Sequence, residues 1–343
     1  MDAAGILLAG AMVALAFASE RGDPWPLVGL VLAVAAALVA GRVLGWIHRG
    51  IAPACLVLAG VVLIAREQGL VGAGPLSGPF GYRNATAAFF AQAAVAALVL
   101  GAAVRRPALW AGAGVVAVGF AWVAMRDSAA AAGTLVLIVL ALLAVRGARG
   151  AGLATAVAGL AFVAVLGGTI ALGAAYAPGD GGPAARALTE RRLVLWHESL
   201  DLMVRHPGGV GPGRFAQVDR TARRDPDAGW AHQEFLQQGV ELGWAGFALT
   251  VLLFVWGFAR LLVHPAPDGV VALGAVALAA LGIHAGIDHI LHVAAVPVAA
   301  AALLGTAQAV PHRRSERVHD HARQEGLEGG AHPAGVAGAS APR

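Results

Sequence analysis

The chain has 343 residues, 58% hydrophobic and 13% charged, with a mean hydropathy of +0.72. A soluble fold of that size cannot bury so much apolar surface, and an all-α polytopic membrane protein is the class that remains. All 24 basic residues are Arg and the net charge is only +4. Most Arg sit at segment ends, which reads as topology rather than as a nucleic-acid surface. The one cysteine, Cys55, excludes an intrachain disulfide.

Apolar runs long enough to cross ~30 Å of hydrocarbon are expected near 3–19, 25–47, 51–65, 85–104, 108–125, 129–145, 151–175, 238–263, 269–287 and 290–309. The first has no basic stretch before it, so no cleaved signal peptide is expected. Ala and Gly fill these runs, which suits close helix packing in lipid. Four blocks follow: helices over 1–176, a loop over 177–231, helices over 232–309 and a tail over 310–343.

Orientation follows from the Arg bias. Loops after the second, fourth, sixth and eighth runs carry Arg42 and Arg49, Arg105 and Arg106, Arg146 and Arg149, and Arg260. The alternate loops carry Arg21, Arg66, Arg83 and Arg126, mostly beside an acidic residue. The positive-inside rule then puts both termini in the cytoplasm and the 177–231 loop outside. The outer side collects Arg66, the 78–84 turn, Arg126, the long loop, and Asp288, His289 and His292. Ionisable groups at a membrane edge are functional candidates because placing them there costs free energy; each Arg can also simply snorkel at a helix end.

The long loop opens on a breaker cluster, Pro178 to Pro183. Ala184 to Arg205 reads as an amphipathic helix with Leu193, Trp196, Leu200, Met203 and Val204 on one stripe. It would lie on the membrane or cap the bundle, with Arg192 at the edge of the stripe. A Gly/Pro-dense turn follows at 206–213. Its amides are placed to approach an anion, or the turn only stops the helix. The loop runs back into apolar sequence at Trp230-Ala-His232-Gln233, with Glu241 and the small residues Gly239, Gly243 and Gly246 beyond. Residues after 310 lack apolar periodicity and read as a disordered cytoplasmic tail.

No metal-ligand spacing, P-loop, dinucleotide fingerprint or nucleophile elbow is present. What is present is Arg, which binds phosphate oxygens bidentately, and a His able to take a proton near neutral pH. Those pieces suit glycosyl or phosphoryl transfer from a lipid diphosphate to a hydroxyl. They also suit a transporter of anionic lipid-linked sugars, although no internal repeat is visible. A structural partner of an envelope machine is a third option.

His232-Gln233, nine residues, then Gly243-Trp-Ala-Gly246 resembles the signature of the O-antigen ligase family, which includes Wzy-type polymerases. Gly81 to Phe89, Arg126-Asp-Ser, Arg192 to Trp196 followed by His206 to Phe215, and His284 to His292 resemble further family segments in the same order. The resemblance covers about residues 80 to 310. It implies a GT-C-type, inverting, metal-independent glycosyltransferase of ten to twelve spans in the bacterial inner membrane. The site would face the periplasmic side, with no cofactor. The donor would be a glycan on undecaprenyl diphosphate and the acceptor a glycan, lipid or protein. By position, His232 would be the general base, and Arg192 and Arg126 would hold the diphosphate. Arg83, Asn84, Arg191, Arg214, Gln233, Glu241, Asp288 and His292 are expected at the substrates, and Gly243 and Gly246 at a close helix contact. Ligase and polymerase readings stay open at this point.

Overall fold

The computed structural model describes residues 2–68, 70, 80–104, 107–128, 148–177, 189–225 and 228–310. Within them lie helices α1 (Ala3–Ala18), α2 (Trp25–Ile47), α3 (Ile51–Glu67), α4 (Arg83–Val104), α5 (Pro107–Asp127) and α6 (Ala148–Ala175). Then come α7 (Glu190–Arg205), α8 (Phe215–Val218), α9 (Glu234–Leu262), α10 (Gly269–Ala285), a 3-10 turn (Ile290–His292) and α11 (Ala295–Gln308). No strand occurs among the described residues. Five helices, α2, α4, α5, α6 and α9, are long and apolar enough to cross a membrane, and α1, α3, α10 and α11 are shorter apolar helices. The expected run at 129–145, the Pro178–Pro183 cluster and the tail beyond 310 lie outside the described residues.

The centre of the bundle is α4 and α10. Helix α10 buries every residue except its first, and α4 buries an unbroken run from Ala85 to Val99. A helix that is apolar all round has no face to give to water, so it goes to the middle. Around this pair, α3 and α5 pack on α4, while α6 and α11 pack on α10. Helix α2 meets α11 through small residues. A methyl on Gly41 would stand 2.1 Å from the Ala302 carbonyl, and one on Gly305 equally close to that of Leu38. Backbones that near leave room only for hydrogen, the small-residue contact of membrane helices.

Ion pairs and loop contacts mark the two ends of the bundle. At one end, Arg49 pairs with Asp268 at 2.6 Å and its Nε donates to the Ala309 carbonyl at 3.2 Å. Arg260 pairs with Asp2 at 2.9 Å at the same kind of junction between a first and a ninth helix. At the other end, the Asp23 N–H donates to Pro212 O at 3.1 Å, tying the α1–α2 turn to the long loop. The start of α4, the loop before α9 and the α10–α11 connection also meet there.

Two boundaries and one helix face differ from the sequence reading. Helix α11 starts at Ala295, not 290, because residues 286–294 turn aside to carry Asp288, His289 and His292. Helix α9 starts at Glu234, not 238, because Gln233 caps it by accepting from the Leu236 N–H at 2.6 Å. A side-chain cap lets a polar first turn be helical. Helix α7 buries Leu193, Leu195, Trp196, Ser199, Leu202 and Met203, whereas Val204 is 69% exposed. The stripe is rotated from the expected one because α7 packs on both α6 and α9.

Candidate functional site

His232 is one of two non-glycine residues with positive φ among those described (φ 49°). Such a backbone costs about 1–3 kcal/mol and persists only where surroundings impose it. Here they do. Trp196 Nε1 donates to the His232 carbonyl at 3.2 Å. The Ala231 N–H donates to Gln237 Oε1 at 2.8 Å. Gln237 Nε2 donates to Glu241 Oε1 at 2.6 Å, and Glu241 Oε2 accepts the Gly213 N–H at 2.9 Å. Loop, α7 and α9 therefore fix one His from three directions.

The ring of His232 faces Asp288, 56 residues away in the chain, at 3.0 Å from Nδ1 to Oδ1. Asp288 is 3% exposed. The same oxygen lies 3.0 Å from His289 Nδ1, accepts the His289 backbone N–H at 2.8 Å and accepts the Tyr82 hydroxyl. The second oxygen accepts from Asn84 and pairs with Arg192 at 3.2 Å. Burial by itself would raise this carboxyl. The hydrogen bonds from His232 and His289 and the charge of Arg192 prevail and hold it well below the usual carboxylate range. Tyr82, buried beside that charge, is pushed up and stays a phenol. An ionised carboxylate only accepts, so in this contact His232 Nδ1 carries a proton and Nε2 is the nitrogen left to face a substrate.

Aromatic rings wall the site. Tyr82 and Trp230 both stack on His289, with centroids 4.5 and 5.3 Å away. His292 sits 4.1 Å from Trp230 and pairs with the buried Glu234 at 3.1 Å. Burial would lower His292, but the Glu234 charge and hydrogen bond turn the balance and raise it.

Of the residues expected at the site, His232, Arg192, Asn84 and Asp288 meet directly, and His292 stands next to them. Others fall elsewhere. Arg83 is exposed, and its neighbour Tyr82 reaches the cluster instead. Arg126 is exposed at the end of α5 and makes no ion pair among the described residues. Arg191 pairs with Asp225 on the surface, and Arg214 binds Gln217 at 3.0 Å. Gln233 and Glu241 are spent on the cap and the loop brace, so they position His232 rather than face a substrate. The 206–213 turn is no anion cradle. Its Val210, Gly211 and Gly213 N–H groups donate to Val240 O, Glu241 O and Glu241 Oε2 at 3.0, 2.9 and 2.9 Å. Gly243 is not a helix–helix contact: α9 breaks there (φ 71°, ψ −170°). A methyl on it would meet Pro207 O at 2.1 Å. Gly246 lies one turn on, where a methyl would strike Leu242 of its own helix. Gly239 does serve packing, against Met203 of α7.

Sequence reasoning gave Tyr82, Trp230, Glu234 and Gln237 no role, and counted His289 among the outer-face candidates with Asp288 and His292. Adjacency to Asn84, His232 and Asp288 was the only signal, since their partners come from other helices. His232, Asp288 and His289 place three ligand-type atoms within 4.8 Å of one another, a spacing that can hold a metal ion. Both oxygens of Asp288 are already occupied by N–H and O–H donors, and Arg192 puts a fixed positive charge beside them. A divalent ion would have to displace those donors and face that charge.

No protein-family model matches the chain, and no curated protein matches it.

Proposed function

We propose that this protein is a membrane glycosyltransferase that moves a glycan from a lipid-diphosphate carrier to an acceptor hydroxyl at the outer membrane face. The ten-span GT-C-type architecture and the resemblance to O-antigen ligases belong to the same proposal. The observation that carries it is the His232–Asp288–Arg192 constellation: a base whose tautomer is held by a carboxylate, with a guanidinium on that carboxylate's other oxygen.

The chemistry follows from the atoms. His232 Nε2 takes the proton of the acceptor hydroxyl. The oxygen attacks the anomeric carbon from the side opposite the diphosphate, and the carbon–oxygen bond to the diphosphate breaks. The configuration inverts. Arg192 is partly exposed, with N–H groups beyond the one on Asp288, and these receive the charge that grows on the leaving diphosphate. Asp288 stays ionised and stabilises the imidazolium.

Purified protein with an undecaprenyl-diphosphate glycan tests this. Transfer should require His232 and survive a chelator. His232→Ala should leave the protein in the membrane without product. Retention of full activity in that variant would refute the reading. In cells, deletion separates the family's two activities: long chains left on the carrier mean a ligase, and accumulated single repeats mean a polymerase.

A further inference from the structure

Asp288 Oδ1 holds two imidazoles. His289 Nδ1 stands 3.0 Å from it, as His232 Nδ1 does, and the two Nδ1 atoms are 3.3 Å apart. The carboxylate only accepts, so in these contacts both Nδ1 atoms carry a proton. In a neutral ring the other nitrogen, Nε2, is then an acceptor, and both Nε2 atoms are turned away from the same oxygen. Neither has a hydrogen-bond partner among the described residues, and neither is sealed from solvent. The His232 and His289 side chains are 16% and 12% exposed.

His284, one turn before Asp288, is the contrast. Its Nδ1 lies 2.9 Å from Ala280 O, and its Nε2 is buried without a partner, closed to any ligand. His289 is held as firmly but with an open nitrogen. Tyr82 and Trp230 stack on its ring, and its backbone N–H donates to Asp288 Oδ1 at 2.8 Å. The His232 and His289 centroids are 4.7 Å apart, with the rings at 81°. A ring nitrogen lies close to its centroid, so hydroxyls on adjacent carbons of one molecule reach both Nε2 atoms. A phosphate oxygen brings no proton to such an acceptor, whereas a hydroxyl does.

We infer that His289 is a second hydroxyl-binding residue, whose Nε2 accepts from the hydroxyl beside the one on His232 Nε2. The site then selects a molecule with hydroxyls on adjacent carbons over one with a single hydroxyl. On the glycosyl-transfer reading, on which this role rests, that molecule is the acceptor. His232 deprotonates one hydroxyl while His289 holds its neighbour and fixes which oxygen attacks. Arg192 stays with the diphosphate. The selection is a property of the two rings and is measured without any transfer.

The full-length protein in nanodiscs is treated with diethyl pyrocarbonate, which acylates an open, unprotonated imidazole nitrogen, and mass spectrometry reads each histidine. Vicinal cyclohexanediol and cyclohexanol, alike in size, are compared as protectants. The diol should protect His232 and His289 together, at about fivefold lower concentration than cyclohexanol, the effect of one further hydrogen bond. His289→Phe keeps an aromatic ring beside Tyr82 and Trp230 but has no Nε2, and in it the two compounds should protect His232 equally. A thermal melt checks that this variant folds, and the wild-type comparison decides the matter if it does not. Equal protection by the two compounds in the wild type, absence of label at His289, or a diol preference kept in His289→Phe would each overturn the inference. Transfer lost in His232→Ala with no diol preference in the wild type defeats this inference alone. Transfer retained in His232→Ala with the diol preference present defeats the glycosyl-transfer reading alone.

Discussion

Trp196 Nε1 donates to the His232 carbonyl at 3.2 Å, joining the loop helix to the left-handed residue that opens α9. The amphipathic helix therefore acts as a brace for His232 as well as a cover for the bundle. Trp196→Phe removes the donor, and its smaller ring leaves part of the buried indole space empty. One such bond is worth about 1 kcal/mol, so kcat should fall about fivefold in protein that is still folded, beside the drop in melting temperature that the void causes. Steady-state transfer kinetics beside a thermal melt check this. A rate unchanged from wild type would mean that the bond does not position His232.

Asp288 should matter more than its burial alone implies. On the proposed glycosyl-transfer reading, Asp288→Asn can donate to His232 Nδ1 and would then move the proton to Nε2, the atom proposed as the base. General-base catalysis is worth roughly 10²–10⁴-fold, and kcat should drop within that range. The acid limb of the pH–rate profile, which reports the base, should shift as well. A variant with the wild-type profile would rule out the dyad.

Gly243→Ala should destabilise the loop seat. The backbone there has φ 71°, and the new methyl would lie 2.1 Å from Pro207 O. Strain of this kind costs about 1–3 kcal/mol, and the steric conflict adds to it. Protease nicking of the 206–213 turn in the folded protein measures the effect, and it should accelerate about tenfold or more.

Asp219 supplies a pH dependence with a definite sign. Burial, then the neighbouring Glu198 charge, pushes its carboxyl up to about 7, and its Oδ2 has no hydrogen-bond partner among the described residues. A carboxyl whose folded value is raised binds its proton more tightly when folded. Its stability contribution is therefore full below the ordinary value near 3.8 and is lost as pH rises toward about 7. Asp219→Asn keeps the acceptor for the Ala222 N–H and cannot ionise. It should unfold at a higher temperature than wild type at pH 8, and the two should converge near pH 4. Parallel melting curves across that range would exclude the effect.

Much of the scaffold was legible without coordinates. Apolar run length is a local quantity, and nine expected runs correspond to described helices within a few residues at most ends. The exceptions, 290 and 238, fall where polar side chains rather than hydropathy set the boundary. The site was half legible. His232, Arg192, Asn84 and Asp288 stand in quoted motifs, but Arg83, Arg191 and Arg214 look equally good in a string of letters. Which side of a turn a guanidinium leaves from depends on helix rotation, and short segments of sequence do not encode it visibly.

By itself, the sequence determined that the chain is helical, with runs long and apolar enough to cross a membrane, and that His232 stands where the long loop runs back into apolar sequence. These depend on hydropathy, charge and spacing along one strand of chain. Only the tertiary structure decided that Asp288 is the partner of His232, that Tyr82 rather than Arg83 reaches it, and that Gly243 breaks a helix to seat the loop. Each of those rests on a contact of about 3 Å between groups brought together by packing. A rotation of one residue about a helix axis turns a side chain by ~100° and would remove the contact.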